Sequence, residues 1–242
     1  LHVTNSRHGH LGVLPGPAMA AASSYRVTIK GTQAHGSRPW DSIDPIMATA
    51  QLIESLNTVV SRRINIINNP AVVSVGLVKA GTRNNIIPED AEIMGTIRTF
   101  DPELRKEVYK EIEQIAKGVA VGTGTDITVE FDVGGFYPVT YNAPELVDSM
   151  KESLMKASPG KFYESNIPVT GAEDFSYFSQ EIPGMYFWLG INKPGVGLES
   201  ANFGGRTDVA GNHSPYFYVD DSALDEGVKA FVYLIDDYPT KF

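Results

Sequence analysis

Residues 91–102 read AEIMGTIRTFDP, and the period of the apolar residues changes within them. Ile93, Gly95 and Ile97 lie on one side of an alternating run, which predicts a half-buried strand. Asp101-Pro102 then opens a helix, with an acidic N-cap followed by a proline at the first helical position. From there Leu104, Val108, Ile112, Ile115 and Val119 form one stripe at helical spacing. The GTGT that follows ends the helix, and DITVEFDV (126–133) alternates as another strand.

Moving upstream, AVVSVGLVKAG (71–81) is a β-rich run closed by glycine. DPIMATAQLIESLNTVVSR (44–62) repeats the cap-and-proline start at Asp44-Pro45. It places Ile46, Ala50, Ile53, Leu56 and Val60 at helical spacing. SYRVTIKG (24–31) alternates Tyr25, Val27 and Ile29 on one face. The order is strand, helix, strand, strand, helix, strand. This βαββαβ pattern predicts a ferredoxin-like domain, a four-stranded antiparallel sheet with two helices on one face.

The flanks differ. Residues 1–22 are histidine-rich and then run into a Pro/Gly/Ala connector. Beyond 134, ELVDSMKESLMKA predicts a helix and GMYFWLGIN (184–192) a strand buried on both faces. A long polar loop spans 193–217, and 220–238 form a helix with Leu224, Val228, Phe231 and Ile235 inward. Helix, buried strand and helix together suggest part of an α/β sheet. The expected division is 1–22, 23–133 and 134–242.

Apolar content of 42% and charged content of 20% are those of a soluble globular protein. A net charge of −9 argues against nucleic acid as a partner, and there is neither a membrane-length apolar run nor a polybasic block. Without cysteine, any metal must be held by His, Asp, Glu and water. The absence of disulfides fits a cytoplasmic protein. LHV at the start reads as mid-protein strand, so the natural chain is expected to begin upstream.

Five places could carry chemistry. His213 in GNHSP sits in a loop between the buried strand and the last helix, where ligands are often found. Its plainer reading is a loop histidine bonded to backbone. Glu173 and Asp174 in TGAEDFS are adjacent carboxylates, with Asp174 also a candidate helix cap. His35 in AHGSRP could donate to a developing oxyanion or be a solvated turn residue. Asn84-Asn85, with Arg98 on the next strand, could grip a carboxylate or be ordinary turn chemistry. His2 lies at a strand end, whereas His8 and His10 read as solvated loop residues. No G-x-S-x-G elbow and no phosphate-binding glycine loop is present.

In order, LHV, LPGPAMAA, AHGSRP, DPIMATAQLI, AVVSVGLVKAGTRNNIIPEDAEIMGTIRTFD, GAEDFSYF and NHSPYF resemble the amidohydrolase branch of the aminoacylase-type metallopeptidases. That branch includes hippurate hydrolase and N-acyl-amino-acid deacylases. The resemblance covers essentially the whole chain. It implies a ferredoxin-like lid or dimerisation domain inserted in an α/β catalytic domain, a homodimer through the lid, and a small N-acyl amino acid or peptide substrate. It also implies two divalent ions, usually zinc or manganese, with His2 and His213 as ligands. His35 would stabilise the oxyanion, Asn85 and Arg98 would hold the substrate carboxylate, and Glu173 would line the pocket. The family's remaining ligands and its general base precede these motifs. With two histidines alone, the dinuclear centre is not expected to assemble, because a zinc site normally takes three or more protein ligands. Two other readings stay open: a non-catalytic dimerisation or carboxylate-binding module, and an esterase-like hydrolase.

Overall fold

A computed structural model describes residues 1–67, 69–195 and 210–241. The strands are β1 (His2–Thr4), β2 (Leu11–Val13), β3 (Gly16–Met19), β4 (Ala21–Lys30), β5 (Ala34–His35), β6 (Ala71–Ala80), β7 (Ile86–Ile87), β8 (Asp90–Thr99), β9 (Asp126–Phe131), β10 (Thr140–Asn142), β11 (Phe162–Glu164) and β12 (Phe187–Gly190). The helices are α1 (Pro45–Thr58), α2 (Pro102–Thr123), α3 (Pro144–Ala157), α4 (Phe175–Glu181) and α5 (Leu224–Lys241). The chain divides into two compact units. One comprises Met19–Val139 with Thr170–Asp174, and the other Leu1–Ala18, Thr140–Val169 and Phe175–Phe242.

The first unit is the ferredoxin-like lid. Its sheet order is β6-β8-β4-β9, with every neighbour antiparallel. Tyr25, Val27, Ile29, Ile93 and Ile97 point to one face, where α1 and α2 cover them. The α2 stripe is buried at all five expected positions. Asp101 accepts the amides of Glu103 and Leu104, both at 2.8 Å, and Gly124 ends the helix with φ 74°. The lid extends beyond 23–133 on both sides. Ala22 and Tyr137 exchange backbone bonds of 2.9 and 3.0 Å, and the Arg105 guanidinium lies 3.9 Å over Phe136.

The buried face of α1 differs from the expected one. Ala48, Thr49, Leu52, Leu56 and Val59 are inside, while Ile46 is 41% exposed. Apolar residues occupy both stripes, so periodicity alone does not choose between them. Thr49 can be buried because its hydroxyl bonds the Pro45 carbonyl at 2.7 Å.

In the second unit the sheet order is β1-β12-β2-β11. β1 runs parallel to β12, β12 antiparallel to β2, and β11 parallel to β2. All four residues of β12 are buried, as its unbroken apolar run predicts. Leu11, Val13, Phe187 and Leu189 share a core with Val147 and Leu154 of α3. The expected inward stripe of α5 is corrected. Leu224, Val228, Phe231 and Ile235 are exposed, Ile235 by 72%. Ala223 and Ala230 are buried instead, and a Cβ added at Gly227 would lie 3.2 Å from Leu189. The helix comes closest to the sheet at Gly227, while further along it Leu234 packs against the core and the Phe231 ring lies beside Phe187. Asp237 fastens it to α3, accepting from Ser153 at 2.6 Å and Lys156 at 2.9 Å. The middle of the expected 193–217 loop lies outside the described residues.

Candidate metal and substrate site

His2 stands on β1 opposite Trp188. Val3 packs into the core shared with α3 and α5, so strand alternation turns His2 to the other face of the sheet. Its Nδ1 lies 2.6 Å from the Val3 carbonyl oxygen. A carbonyl only accepts, so this contact assigns the proton to Nδ1 and leaves the Nε2 lone pair free for a cation.

The same Val3 carbonyl accepts the side-chain amide of Asn212 at 3.1 Å, and Asn5 donates its amide to the Ala210 carbonyl. Two asparagines thus fasten the GNHSP loop to β1 and bring His213 beside the strand that carries His2. His213 is exposed and has φ 71°, a left-handed conformation that costs a non-glycine residue energy. Asn5 and Asn212 escape sequence reasoning, and their one sequence signal is that each lies within three residues of a candidate histidine.

His8 departs from expectation. It is not a solvated loop residue: its Nε2 is 2.9 Å from the Ser222 hydroxyl and 3.6 Å from Asp220. These groups stand just before α5, which gives His8 a structural partner. His10 Nδ1 lies 3.2 Å from the His8 carbonyl. The Ser222 hydroxyl donates to Asp220 and holds that carboxyl below the usual carboxylate range, helped by the Ser222 amide and His8. The stabilisation is therefore present above the unfolded carboxyl pKa and is lost as pH falls through the lower folded value. Thermal melts across acid pH should show the parent more stable than Asp220→Asn near neutrality, with the gap closing as the pH drops. A constant gap would refute this.

In the lid, β5 pairs with β7 so that His35 faces Ile86. The Gly36 amide donates to the Asn85 carbonyl at 2.8 Å, and the Arg38 amide to the His35 carbonyl at 2.8 Å. A Cβ at Gly36 would come within 3.1 Å of the Asn85 backbone, so glycine permits this approach. His35 and Asn85 are thus brought together. Arg98 is not with them. It lies opposite Ala22 near the far end of β8, whereas Asn85 precedes the start of that strand at Asp90. Eight strand residues span about 26 Å, so one lid cannot apply Asn85 and Arg98 to the same carboxylate. The Arg98 guanidinium donates to Thr96 and to the Ile97 carbonyl, and has no carboxylate partner among the described residues. Burial lowers its pKa. The Glu173 carboxylate accepts the Asp174 amide at 3.1 Å. Among the described residues, no three His, Asp or Glu side chains form a group able to hold a metal.

Residues 20–123 match the model of the M20 peptidase dimerisation domain. The chain is 33% identical over its full length to thermostable carboxypeptidase 2 of Saccharolobus solfataricus, covering 58% of that protein. It is 35% identical to N-acetylcysteine deacetylase of Bacillus subtilis, over 93% of this chain and 54% of that one. Among solved structures, the B. subtilis YxeP protein, described as a dinuclear metal-binding peptidase of the M20 family, matches all of this chain and 56% of its own. The identity is 27% and the TM-score 0.73. A putative aminohydrolase of methicillin-resistant Staphylococcus aureus gives 26% and 0.82, with 98% and 58% covered. The chain spans a little over half the length of these relatives. The lid is an M20 peptidase dimerisation domain, and the chain as a whole is similar to carboxypeptidase, deacetylase and M20 peptidase chains.

Proposed function

We propose that the protein works as a metal-dependent amidohydrolase that cleaves N-acyl amino acids or small peptides to a carboxylate and a free amino group. The observation that carries this reading is the Val3 carbonyl, which orients His2 for a cation and anchors the loop of His213. His2 and His213 would be the ligands that this chain supplies to a centre of two divalent ions, zinc or manganese. When bound, such ions lower the pKa of a water and polarise the scissile carbonyl. His35 donates to the oxyanion. Asn85 orients the substrate from the same turn, Arg98 binds its carboxylate, and Glu173 lines the pocket. The distance between Asn85 and Arg98 within one lid favours a homodimer, in which the two ends of a lid serve different substrates. The relatives described as deacetylases and carboxypeptidases support the substrate class.

The test is hydrolysis of N-acetyl- and N-benzoyl-amino acids. Activity should vanish with a chelator and return with zinc or manganese. His213→Ala should lose at least about a hundredfold, since even outer-shell changes at metal sites cost ten- to a hundredfold. Undiminished turnover by that variant would overturn the assignment.

A further inference from the structure

We infer that Ser37 is a positioning residue that sets His35 in the Nε2–H tautomer, which makes Nε2 the hydrogen-bond donor of the lid. The inference rests on the proposed role of His35 as an oxyanion donor and deepens it. The Ser37 backbone amide points to His35 Nδ1 at 3.1 Å, and the Ser37 hydroxyl lies 2.8 Å from the same nitrogen. The hydroxyl alone would be ambiguous, because it can donate or accept. The amide is not, because a backbone N–H only donates. Nδ1 must therefore offer its lone pair, and the hydroxyl turns to donate to it as well. In neutral His35 the proton is then on Nε2.

The backbone of the turn is held to match. The pairing of His35 with Ile86, the Gly36-to-Asn85 bond and the Arg38-to-His35 bond fix the chain on both sides of the ring. Ser37 completes this by fixing the ring itself. His2 is set the opposite way, with a carbonyl at its Nδ1 and a free lone pair at Nε2. The two histidines thus present opposite chemistry at the same ring atom, an acceptor for a cation and a donor for an anion.

The experiment is a long-range proton–nitrogen NMR spectrum of the 15N-labelled chain at a pH where His35 is neutral, assigned through His35→Gln. His35 should show a single tautomer with Nδ1 unprotonated. Ser37→Ala, which removes the hydroxyl donor and leaves only the longer backbone-amide bond, should move the two nitrogen shifts toward each other at an unchanged melting temperature, and Ser37→Thr should keep them apart. In turnover by the active protein, Ser37→Ala should lower kcat about three- to tenfold with KM unchanged. That is less than the hundredfold or more expected when an oxyanion donor is removed outright. Ser37→Thr should restore kcat. A protonated Nδ1 in the parent, or identical shifts in the parent and Ser37→Ala, overturns the inference. A fixed tautomer in a protein whose turnover is indifferent to His35→Gln refutes the oxyanion role of His35, and leaves the assignment of Ser37 intact.

Discussion

Gly95→Ala is expected to destabilise the lid by about 3 kcal/mol, the upper part of the range for overpacking a filled core. Gly95 faces Tyr25 directly across β8 and β4. A Cβ there would lie 2.3 Å from Tyr25 Cζ and 2.2 Å from the Ser74 carbonyl oxygen. Tyr25 is fully buried and donates its hydroxyl to that same carbonyl at 3.2 Å. The ring can make room only by leaving the core and breaking this bond. Urea unfolding should show a lower midpoint at the same slope. If the Tyr25 ring is part of the clash, Gly95→Ala should cost less in a Tyr25→Val background than in the parent, because contacting residues couple, with the cost that remains set by the Ser74 carbonyl. An equal cost in both backgrounds would refute the account. Burial also raises the Tyr25 pKa from 10.0 to about 12. Stability from the neutral phenol is full below the unfolded value and falls as pH rises from about 10 toward 12. Tyr25→Phe should remove that part of the alkaline loss.

Asn142→Leu should destabilise the other unit by about 4 kcal/mol. Asn142 is fully buried. Its amide donates to the Leu14 and Tyr186 carbonyls, both at 2.8 Å, and its oxygen accepts the Tyr186 amide at 2.6 Å. One side chain joins the connector after β2 to the segment entering β12. Leucine fills a similar space but removes the partner of three buried groups, each worth about 1–3 kcal/mol when deserted. Asn142→Asp should fare no better, since a buried carboxylate would face two carbonyls. A loss under 1 kcal/mol for the leucine variant would show that these bonds do not hold β12 in place.

The lid was legible in the sequence because each signal there agrees with the others. Asp101, Pro102 and Gly124 bound α2, and its five apolar positions leave no second face that could compete. In α5 the signals conflict. Leu224, Val228, Phe231 and Ile235 make the more apolar stripe, yet the face turned to the sheet carries Ala223, Gly227, Ala230 and Leu234, with Gly227 at a close distance from Leu189. That distance is a tertiary quantity, which periodicity does not encode. The candidate site divides in the same way. His35 and Asn85 meet across a local ladder between short strands, whereas the loop of His213 is tied to the strand of His2 by Asn212 on the Val3 carbonyl, from opposite ends of the chain. No spacing rule reaches across that separation, and only the resemblance to a family joined them. The grip of Asp220 and Ser222 on His8 was hidden for the same reason.

The most direct test of the central claim, that His2 and His213 serve one metal centre, is zinc binding by calorimetry. It compares the catalytically active protein, which supplies the remaining ligands, with its His2→Ala, His213→Ala, His8→Ala and His10→Ala variants. The account predicts at least about a tenfold loss of affinity in each of the first two, and parent-like binding in the last two. Zinc affinity unchanged by His2→Ala and His213→Ala, or lost with His8→Ala, would contradict it.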